Sequence, residues 1–311
     1  MSALMKPFAQ SLRLMGNAFT ITVVAADNGI AQKHIDAAVA EIRRIEQLLT
    51  TFRADSQTSL INENAGIAPV AVDPEVFGLI ERSIAISKIT QGAFDISYGS
   101  IDKSLWNFDR EMTSLPSKEE ARKMVHLINY NNIVLDRENT TVFLKEKGMR
   151  IGFGGIGKGY AAEMAKALLM KEGVKSGIIN ASGDLTAWGY QPNGKPWRIG
   201  ISNPDRPQDI FSYLDISGLA VATSGNYEKY VMIGGKKYSH TIDPKTGLPI
   251  SGIKSVTVIS ENAEFADAMA TPIAVMGIKA GLYQIDQIPD LHCIIIDDNN
   301  TIYTSKAINL N

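Results

Sequence analysis

The clearest chemical signal in the chain lies in residues 263–276, which have the apolar spacing of a helix. Asp267 and Thr271 are four residues apart, so a helix places the carboxylate and the hydroxyl on one face. Oxygen ligands of this kind are those that hard cations such as Mg²⁺ select. Pro272 has no N–H, so the carbonyl of Ala268 is left either as a further ligand or as the mark of a kink. The spacing predicts a cation site, with two solvated side chains as the alternative.

A glycine-rich stretch at residues 152–160, GFGGIGKGY, precedes an amphipathic helical pattern. Glycines let the backbone approach a ligand closely, and the first N–H groups of a helix have no partners within it. Lys158 adds a positive charge. The spacing matches neither a Walker P-loop nor a dinucleotide fingerprint. The stretch therefore predicts an anion cradle, with a flexible turn that leads into a helix as the alternative.

His240 lies just before a strong turn signal, Asp243-Pro244-Lys245-Thr246-Gly247. An imidazole titrates near neutral pH and can accept the proton of a hydroxyl group. A histidine that makes only structural hydrogen bonds is the alternative. Three further polar segments are each expected to form a turn between strands, namely residues 92–95, 181–184 and 221–227.

The composition is that of a globular chain and excludes several classes of function. Of 311 residues, 45% are apolar and 21% are charged, and the net charge is −2, which gives no electrostatic footprint for nucleic acid or an anionic membrane. The single cysteine, Cys293, excludes an internal disulfide and a multi-thiolate metal site. It lies in an apolar run that predicts a buried strand. Neither a signal peptide nor an apolar run of ~20 residues is visible.

Apolar periodicity predicts the elements that must position these groups. Five helices are expected. The first covers residues 35–49, the second begins after the cap at Asp73-Pro74 and ends before Gly92, and the third begins at the capping box of Ser117 and Glu120. The fourth runs from the glycine-rich stretch to Gly173, and the fifth covers residues 263–276. Strands are expected at 18–24, 133–135, 141–144, 197–201, 210–216, 231–242 folded over Gly234-Gly235, 254–259, and in a last pair that turns at 297–300. Because the strands cluster as hairpins, we predict an α+β fold: a single composite domain with largely antiparallel sheets and flanking helices.

Taken in order, these motifs resemble the ApbE family of flavin transferases, which move FMN from FAD onto proteins. The similar segments cover nearly the whole chain: Met15-Gly16, FRADSQTSLINENAG, GAFDISYGSIDKSLW, GFGGIGKGYAAE, GDLTAWG, VATSGNYEKY, SHTIDPKTGLPI and SVTVISENAEFADAMATPIAVMG. The resemblance implies a T-fold-related domain over residues 15–311, preceded by an N-terminal extension over 1–14. It also implies that FAD binds in a cleft with Mg²⁺ on its diphosphate.

The resemblance further implies roles for individual residues. Flavin or adenine contacts are implied for Met15, Phe52, Ala93, Phe94 and Asp95. Lys158 and the main chain of Ile242 are implied to lie near the same nucleotide. The implied metal ligands are Asp267, Thr271 and the carbonyl of Gly155. The expected catalytic residues are Asp267, through the metal, and His240, because an imidazole can take the proton of the attacking hydroxyl.

Four positions depart from the family pattern. Gly152 stands where most members have Asp, Gly157 replaces Ala, Glu163 replaces Asp, and Asn17 replaces Thr. The change at Gly152 matters most, because it removes a carboxylate expected beside FAD.

The function that the resemblance implies is the Mg²⁺-dependent transfer of FMN from FAD to a Ser or Thr hydroxyl of an acceptor protein, with release of AMP. Two alternatives stay open: an FAD diphosphatase, in which water replaces the hydroxyl, and an FAD-binding store that does no chemistry. The expected partners are FAD and a redox or respiratory protein with a Ser/Thr flavinylation motif. The expected location is the periplasm or the periplasmic side of a membrane, with the cytoplasm as the alternative.

Overall fold

The computed structural model describes residues 4–102, 104, 113–225 and 230–306. The helices in these ranges are α1 (Asn28–Leu49), α2 (Gln57–Glu63), α3 (Pro74–Ile89), α4 (Lys118–Met124), α5 (Gly157–Lys171), α6 (Ala263–Met276) and α7 (Ile278–Ile285). The strands are β1 (Lys6–Leu14), β2 (Asn17–Ala25), β3 (Val70–Ala71), β4 (Ile133–Asp136), β5 (Thr141–Leu144), β6 (Gly177–Ala181), β7 (Asp184–Trp188), β8 (Trp197–Asn203), β9 (Arg206–Ile216), β10 (Leu219–Gly225), β11 (Tyr230–Ile233), β12 (Lys236–Ser239), β13 (Ile253–Ser260), β14 (His292–Asp297) and β15 (Ile302–Thr304).

One eight-stranded sheet organises the molecule, in the order β1-β2-β6-β7-β10-β13-β14-β15. Every neighbouring pair is antiparallel. Side chains alternate across a strand, so Phe19, Ile21 and Val23 of β2 enter the main core with α1 and α5, while Val24 joins a second cluster. That second cluster includes Trp197 and Ile216, which lie on the ribbon formed by β8 and β9. The helices and this ribbon therefore cover opposite faces of the sheet.

The predicted α+β architecture with antiparallel sheets is confirmed. The capping box is present, because Ser117 accepts from the Glu120 N–H while the Glu120 carboxylate accepts from the Ser117 N–H. The predicted hairpin pairs Ile133–Asp136 with Thr141–Leu144. Among the helices of the described ranges, none combines the length and the apolar character needed to cross a membrane.

One strand lies where no element was predicted, and one predicted turn is wrong in part. Within the predicted extension, residues 6–14 form β1, which pairs along its full length with β2. Phe8, Leu12 and Leu14 of this edge strand face the core, but the polar Gln10 between them interrupts the apolar alternation, which explains why periodicity did not reveal the strand. The turn expected at 221–227 is wrong in its described part, because 221–225 continue β10. Asn226 and Tyr227 lie outside the described residues.

The single cysteine lies where the apolar pattern placed it, fully buried in β14. Burial raises the pKa of the Cys293 thiol to about 12. Because the thiolate is the reactive form, we expect the folded protein not to react with Ellman's reagent at pH 8 and one thiol to react after denaturation. Rapid reaction of one thiol per folded chain would contradict the buried placement.

Candidate active site

A single cleft of about 1120 Å³ brings most of the predicted site residues together. It exceeds the roughly 300–1,000 Å³ of ordinary small-molecule pockets. Nine predicted residues line it: Ala93, Phe94, Asp95, Gly155, Lys158, His240, Ile242, Asp267 and Thr271. The cleft therefore joins the glycine-rich stretch, the helix α6 and the segment after β12, which are far apart in sequence.

The N-terminal ends of α5 and α6 touch at Gly159. A Cβ atom on residue 159 would lie 2.1 Å from the carbonyl oxygen of Ala263 and 2.7 Å from the Cβ of Asp267. The N–H of Gly159 donates to Oδ2 of Asp267 at 2.9 Å. Only glycine permits this approach, so the glycine-rich stretch fixes the position of the Asp267 carboxylate.

A buried charge cluster lies at this contact. The Nζ atom of Lys158 is 3.1 Å from Oδ2 of Asp184 and 3.5 Å from Oδ1 of Asp267. Burial alone would lower the pKa of Lys158, but the two carboxylates outweigh it and raise that pKa above its usual value. Burial and the carboxylate of Asp267 raise the pKa of Asp184, although Lys158 opposes this shift. The ammonium group of Lys158 therefore stays protonated at the wall of the cleft, between two carboxylates.

Asp184 is a cleft residue that the sequence reasoning missed. It follows the tight turn at Ser182 and Gly183, both of which have positive φ angles, of 56° and 102°. Its Oδ1 accepts from the N–H of Thr223 at 3.0 Å. The segment was interpreted only as a polar turn, because its partner Lys158 is remote in sequence. The available signal was an aspartate at the start of a strand, DLTAW, that is otherwise nearly all apolar.

The donor set around Asp267 fits a hard cation. Asp267, Thr271 and Gly155 line the same cleft, and the hydroxyl of Thr271 donates to that of Ser224 at 3.3 Å. In the described part of the chain, no cluster of three or more His, Cys, Asp or Glu residues suits a metal. Mg²⁺ does not need such a cluster, since it keeps several waters and takes one or two carboxylates together with substrate phosphates. The contact between Asp267 and the Lys158 ammonium shows that this carboxylate already faces a cation.

Asp95 lines the cleft, but its carboxylate makes structural hydrogen bonds. Its Oδ1 accepts from the N–H and the hydroxyl of Ser97 at 2.8 and 2.6 Å, and its Oδ2 accepts from the N–H of Tyr130 at 3.0 Å. Burial raises the pKa of Asp95, and these hydrogen bonds oppose the shift. Asp95 therefore shapes the loop that carries Ala93 and Phe94, and its contact with a nucleotide stays a prediction.

Met15 and Phe52 are not among the residues that line the cleft, although their neighbours Asn17 and Thr51 are. Met15 and Gly16 form the tight β1–β2 turn with φ angles of 50° and 73°, as a type I′ hairpin turn requires at both positions. The side chain of Phe52 is 97% exposed. Ligand contacts by Met15 and Phe52 therefore stay predictions.

His240 and Ile242 lie on the segment that leaves β12. His240 is exposed at the cleft, whereas the side chain of Ile242 is 2% exposed. The N–H of Ile242 donates to the hydroxyl of Tyr98 at 3.4 Å, and Ile242 also pairs with Pro249 across the turn. This pairing closes the predicted turn at Asp243 and Pro244. His240 lies two residues before the paired Ile242.

The fold and the site together define a class: an α+β protein whose cleft combines a glycine-rich bend and a lysine with side-chain oxygens that fit a hard cation. The chain belongs to the ApbE family, whose sequence model matches residues 15–295.

Several proteins are similar to this one over most of the chain. The FAD:protein FMN transferase of Klebsiella pneumoniae (strain 342) is 32% identical over 301 residues, which are 96% of this chain and 92% of that protein. The protein of the same name from Escherichia coli (strain K12) is 31% identical over 238 residues, which are 75% and 68% of the two chains. The crystal structure of the ApbE protein from Thermotoga maritima superimposes with a TM-score of 0.85 at 30% identity and covers 97% of each chain. The Pseudomonas stutzeri flavinyl transferase ApbE in its apo form gives 0.84 at 27% identity, with 97% and 96% covered.

Proposed function

We propose that the protein is an FAD:protein FMN transferase, which moves FMN from FAD to a Ser or Thr hydroxyl of an acceptor protein and releases AMP. The observation that carries this proposal is the contact at Gly159, which places Lys158 and Asp267 side by side in the cleft that Thr271 and Gly155 also line. A diphosphate needs such a combination of positive charge, backbone N–H groups and oxygen ligands for a cation. The acceptor is a redox or respiratory protein on the periplasmic side of a membrane.

The reaction is a phosphoryl transfer. The oxygen of the acceptor hydroxyl attacks the phosphorus on the FMN side of FAD and forms a new P–O bond. The bond between this phosphorus and the bridging oxygen breaks, and AMP leaves with that oxygen. The hydroxyl proton passes to His240 and then to solvent or to AMP. In such reactions the protein contributes mainly positioning and neutralisation of charge.

Each cleft residue has a defined task in this step. Lys158 neutralises part of the diphosphate charge, and the carboxylate of Asp184, 3.1 Å from its Nζ atom, holds that ammonium group in place. Asp267, Thr271 and the carbonyl of Gly155 would hold Mg²⁺, which when bound neutralises further charge on the diphosphate. His240 is an exposed residue of the cleft lining, which supports its proposed role of accepting the proton from the hydroxyl of an incoming protein.

The test is to incubate the purified protein with FAD and Mg²⁺, with and without the apo form of a redox protein that carries FMN on a threonine. We expect AMP release and flavin fluorescence that stays with the acceptor after denaturation, and EDTA should abolish both. AMP without labelled acceptor would indicate the diphosphatase instead. FAD binding without AMP release would indicate a protein that stores FAD and does no chemistry.

Replacing His240 with Gln should lower the labelling rate about a hundredfold near pH 7, since a positioned general base contributes roughly 10²–10⁴-fold. His34→Gln is the control, because His34 pairs with Glu172 on the surface at 2.9 Å, outside the cleft lining. The measurement is the initial labelling rate at saturating FAD. An unchanged rate in His240→Gln would assign this residue a structural role.

Replacing Gly152 with Asp restores the carboxylate that most family members carry. A Cβ atom on Gly152 meets nothing within 4 Å, and its φ angle is not positive, so we expect stability to change by less than about 0.5 kcal/mol. We expect the Kd for FAD to fall about tenfold, because a hydrogen bond to a charged group contributes about 1.5–3 kcal/mol. Gly154→Asp is the matched control, since Gly154 is equally open. Equal effects of the two variants on FAD titrations would contradict a specific contact at residue 152.

A further inference from the structure

One wall of the cleft is the edge of a strand. Residues 198–202 of β8 all line the cleft, whereas none of the residues of its partner β9 whose side chains are described does. Successive side chains of a strand point to opposite faces, so five consecutive lining residues mean that the backbone edge borders the cleft. Within the described residues, β8 pairs only with β9. Its other edge therefore presents N–H and carbonyl groups that an additional strand can pair with.

This edge is held in place at both ends of β8. At its start, the indole N–H of Trp197 donates to the carbonyl of Trp188 at 3.0 Å, and the ring is buried against the large sheet. Beyond its end, the buried Lys254 donates to both carboxylate oxygens of Asp205 at 2.6 and 2.8 Å and to Oδ1 of Asn300 at 2.7 Å. An edge fixed before a partner arrives loses little conformational entropy when it binds.

The opposite wall is the outer face of β2 and β6. Thr20 pairs with Asn180 and Thr22 pairs with Ile178, and all four side chains are half-buried and line the cleft. These side chains are small to medium-sized and uncharged. The charged cluster of Lys158, Asp184 and Asp267 lies at one end of this face, because Asp184 begins β7 and pairs with Ala181, the residue after Asn180. The uncharged face of β2 and β6 suits an extended polypeptide, and the charged cluster suits a diphosphate.

We infer that an extended segment of the acceptor protein binds between β8 and the β2–β6 face as an additional strand on β8, which delivers its Ser or Thr hydroxyl to the charged end of the cleft. This inference rests on the proposed transferase function and names where its second substrate binds. In strand addition, main-chain hydrogen bonds supply affinity and every second side chain is available for specificity. The volume of the cleft, about 1120 Å³, lies just above the roughly 300–1,000 Å³ of ordinary small-molecule pockets, as expected for a site that takes two substrates.

The test compares two tryptophan variants on the same ribbon. Ser202 lines the cleft, and Ile210 is its exposed neighbour on β9 outside the lining. In the labelling assay with the apo redox protein, Ser202→Trp should raise the acceptor KM at least tenfold relative to Ile210→Trp, with a smaller change in kcat. Hydrogen exchange of the wild-type protein should show slower exchange of the amides of residues 199–201 when the acceptor is added.

The outcomes separate the two proposals. Labelling by the wild-type protein together with equal acceptor KM values for both variants would overturn the binding groove and leave the transferase function standing. Unchanged exchange at residues 199–201 would also overturn the groove. Failure of the wild-type protein to label any acceptor would overturn the transferase function, and the groove with it.

Discussion

Replacing Asp267 with Asn should lower Mg²⁺-dependent AMP release from FAD, and labelling of an acceptor, by at least about a hundredfold. The loss of one preorganised electrostatic contact to a transition state typically costs roughly 10²–10³ in rate. Asn keeps the size of the side chain and an oxygen that accepts from the Gly159 N–H, so the contact between α5 and α6 is retained. The variant therefore removes charge and metal affinity while the packing stays.

The control is Asp290→Asn, which makes the same chemical change at an exposed position outside the cleft lining. The measurements are AMP release over a Mg²⁺ titration and the thermal unfolding midpoint. A midpoint close to that of the wild-type protein, together with lost activity, supports the assignment of Asp267. Full activity of Asp267→Asn at the same Mg²⁺ concentration would show that the cation binds elsewhere.

Local sequence signals were sufficient for the helix that carries this residue. The predicted bounds, 263–276, are those of α6. The side chain of Asn262 accepts from the N–H of Phe265 at the start, and Gly277, with a φ angle of 82°, ends the helix. Both capping residues lie within one turn of a helix end, so they can be recognised from the neighbouring sequence alone. Pro272 does not interrupt the helix.

Features that depend on partners remote in sequence were not predictable in this way. Asp184 acts through Lys158, and nothing near either residue marks the pair. The edge of β8 borders the cleft only because Trp197 and Lys254 anchor the ribbon at its two ends. Strand β1 lies at the edge of the sheet and is largely exposed, and the polar Gln10 interrupts the apolar alternation of Phe8 and Leu12. Sequence periodicity reports burial of one face and is silent where that burial is weak.

Gly159 lies in a helix that local signals predict and contacts a helix that is remote in sequence. Replacing Gly159 with Ala is the second change for which we expect a large effect, here on stability. The backbone of residue 159 lies in α5 with no positive φ angle, so alanine is conformationally allowed and only space forbids it. The added Cβ would lie 2.1 Å from the carbonyl oxygen of Ala263 and 2.7 Å from the carbonyl carbon of that residue. Backbone atoms cannot rotate away as a flexible side chain can, so α6 must shift as a unit. We expect the free energy of unfolding to fall by at least about 3 kcal/mol, at the upper end of overpacking effects.

Gly157→Ala separates this clash from the general effect of adding a methyl group to α5. Its Cβ would lie 3.2 Å from the Cβ of Phe153 and 3.7 Å from Cε of Met15, both side-chain atoms. We expect urea unfolding to show a change within about 1 kcal/mol for this variant, because alanine also favours the helix. Residual folded Gly159→Ala protein should have lost AMP release, since a displaced α6 carries Asp267 and Thr271 away from the glycine bend. If Gly159→Ala is as stable and as active as Gly157→Ala, then the close approach of the two helices does not position the site.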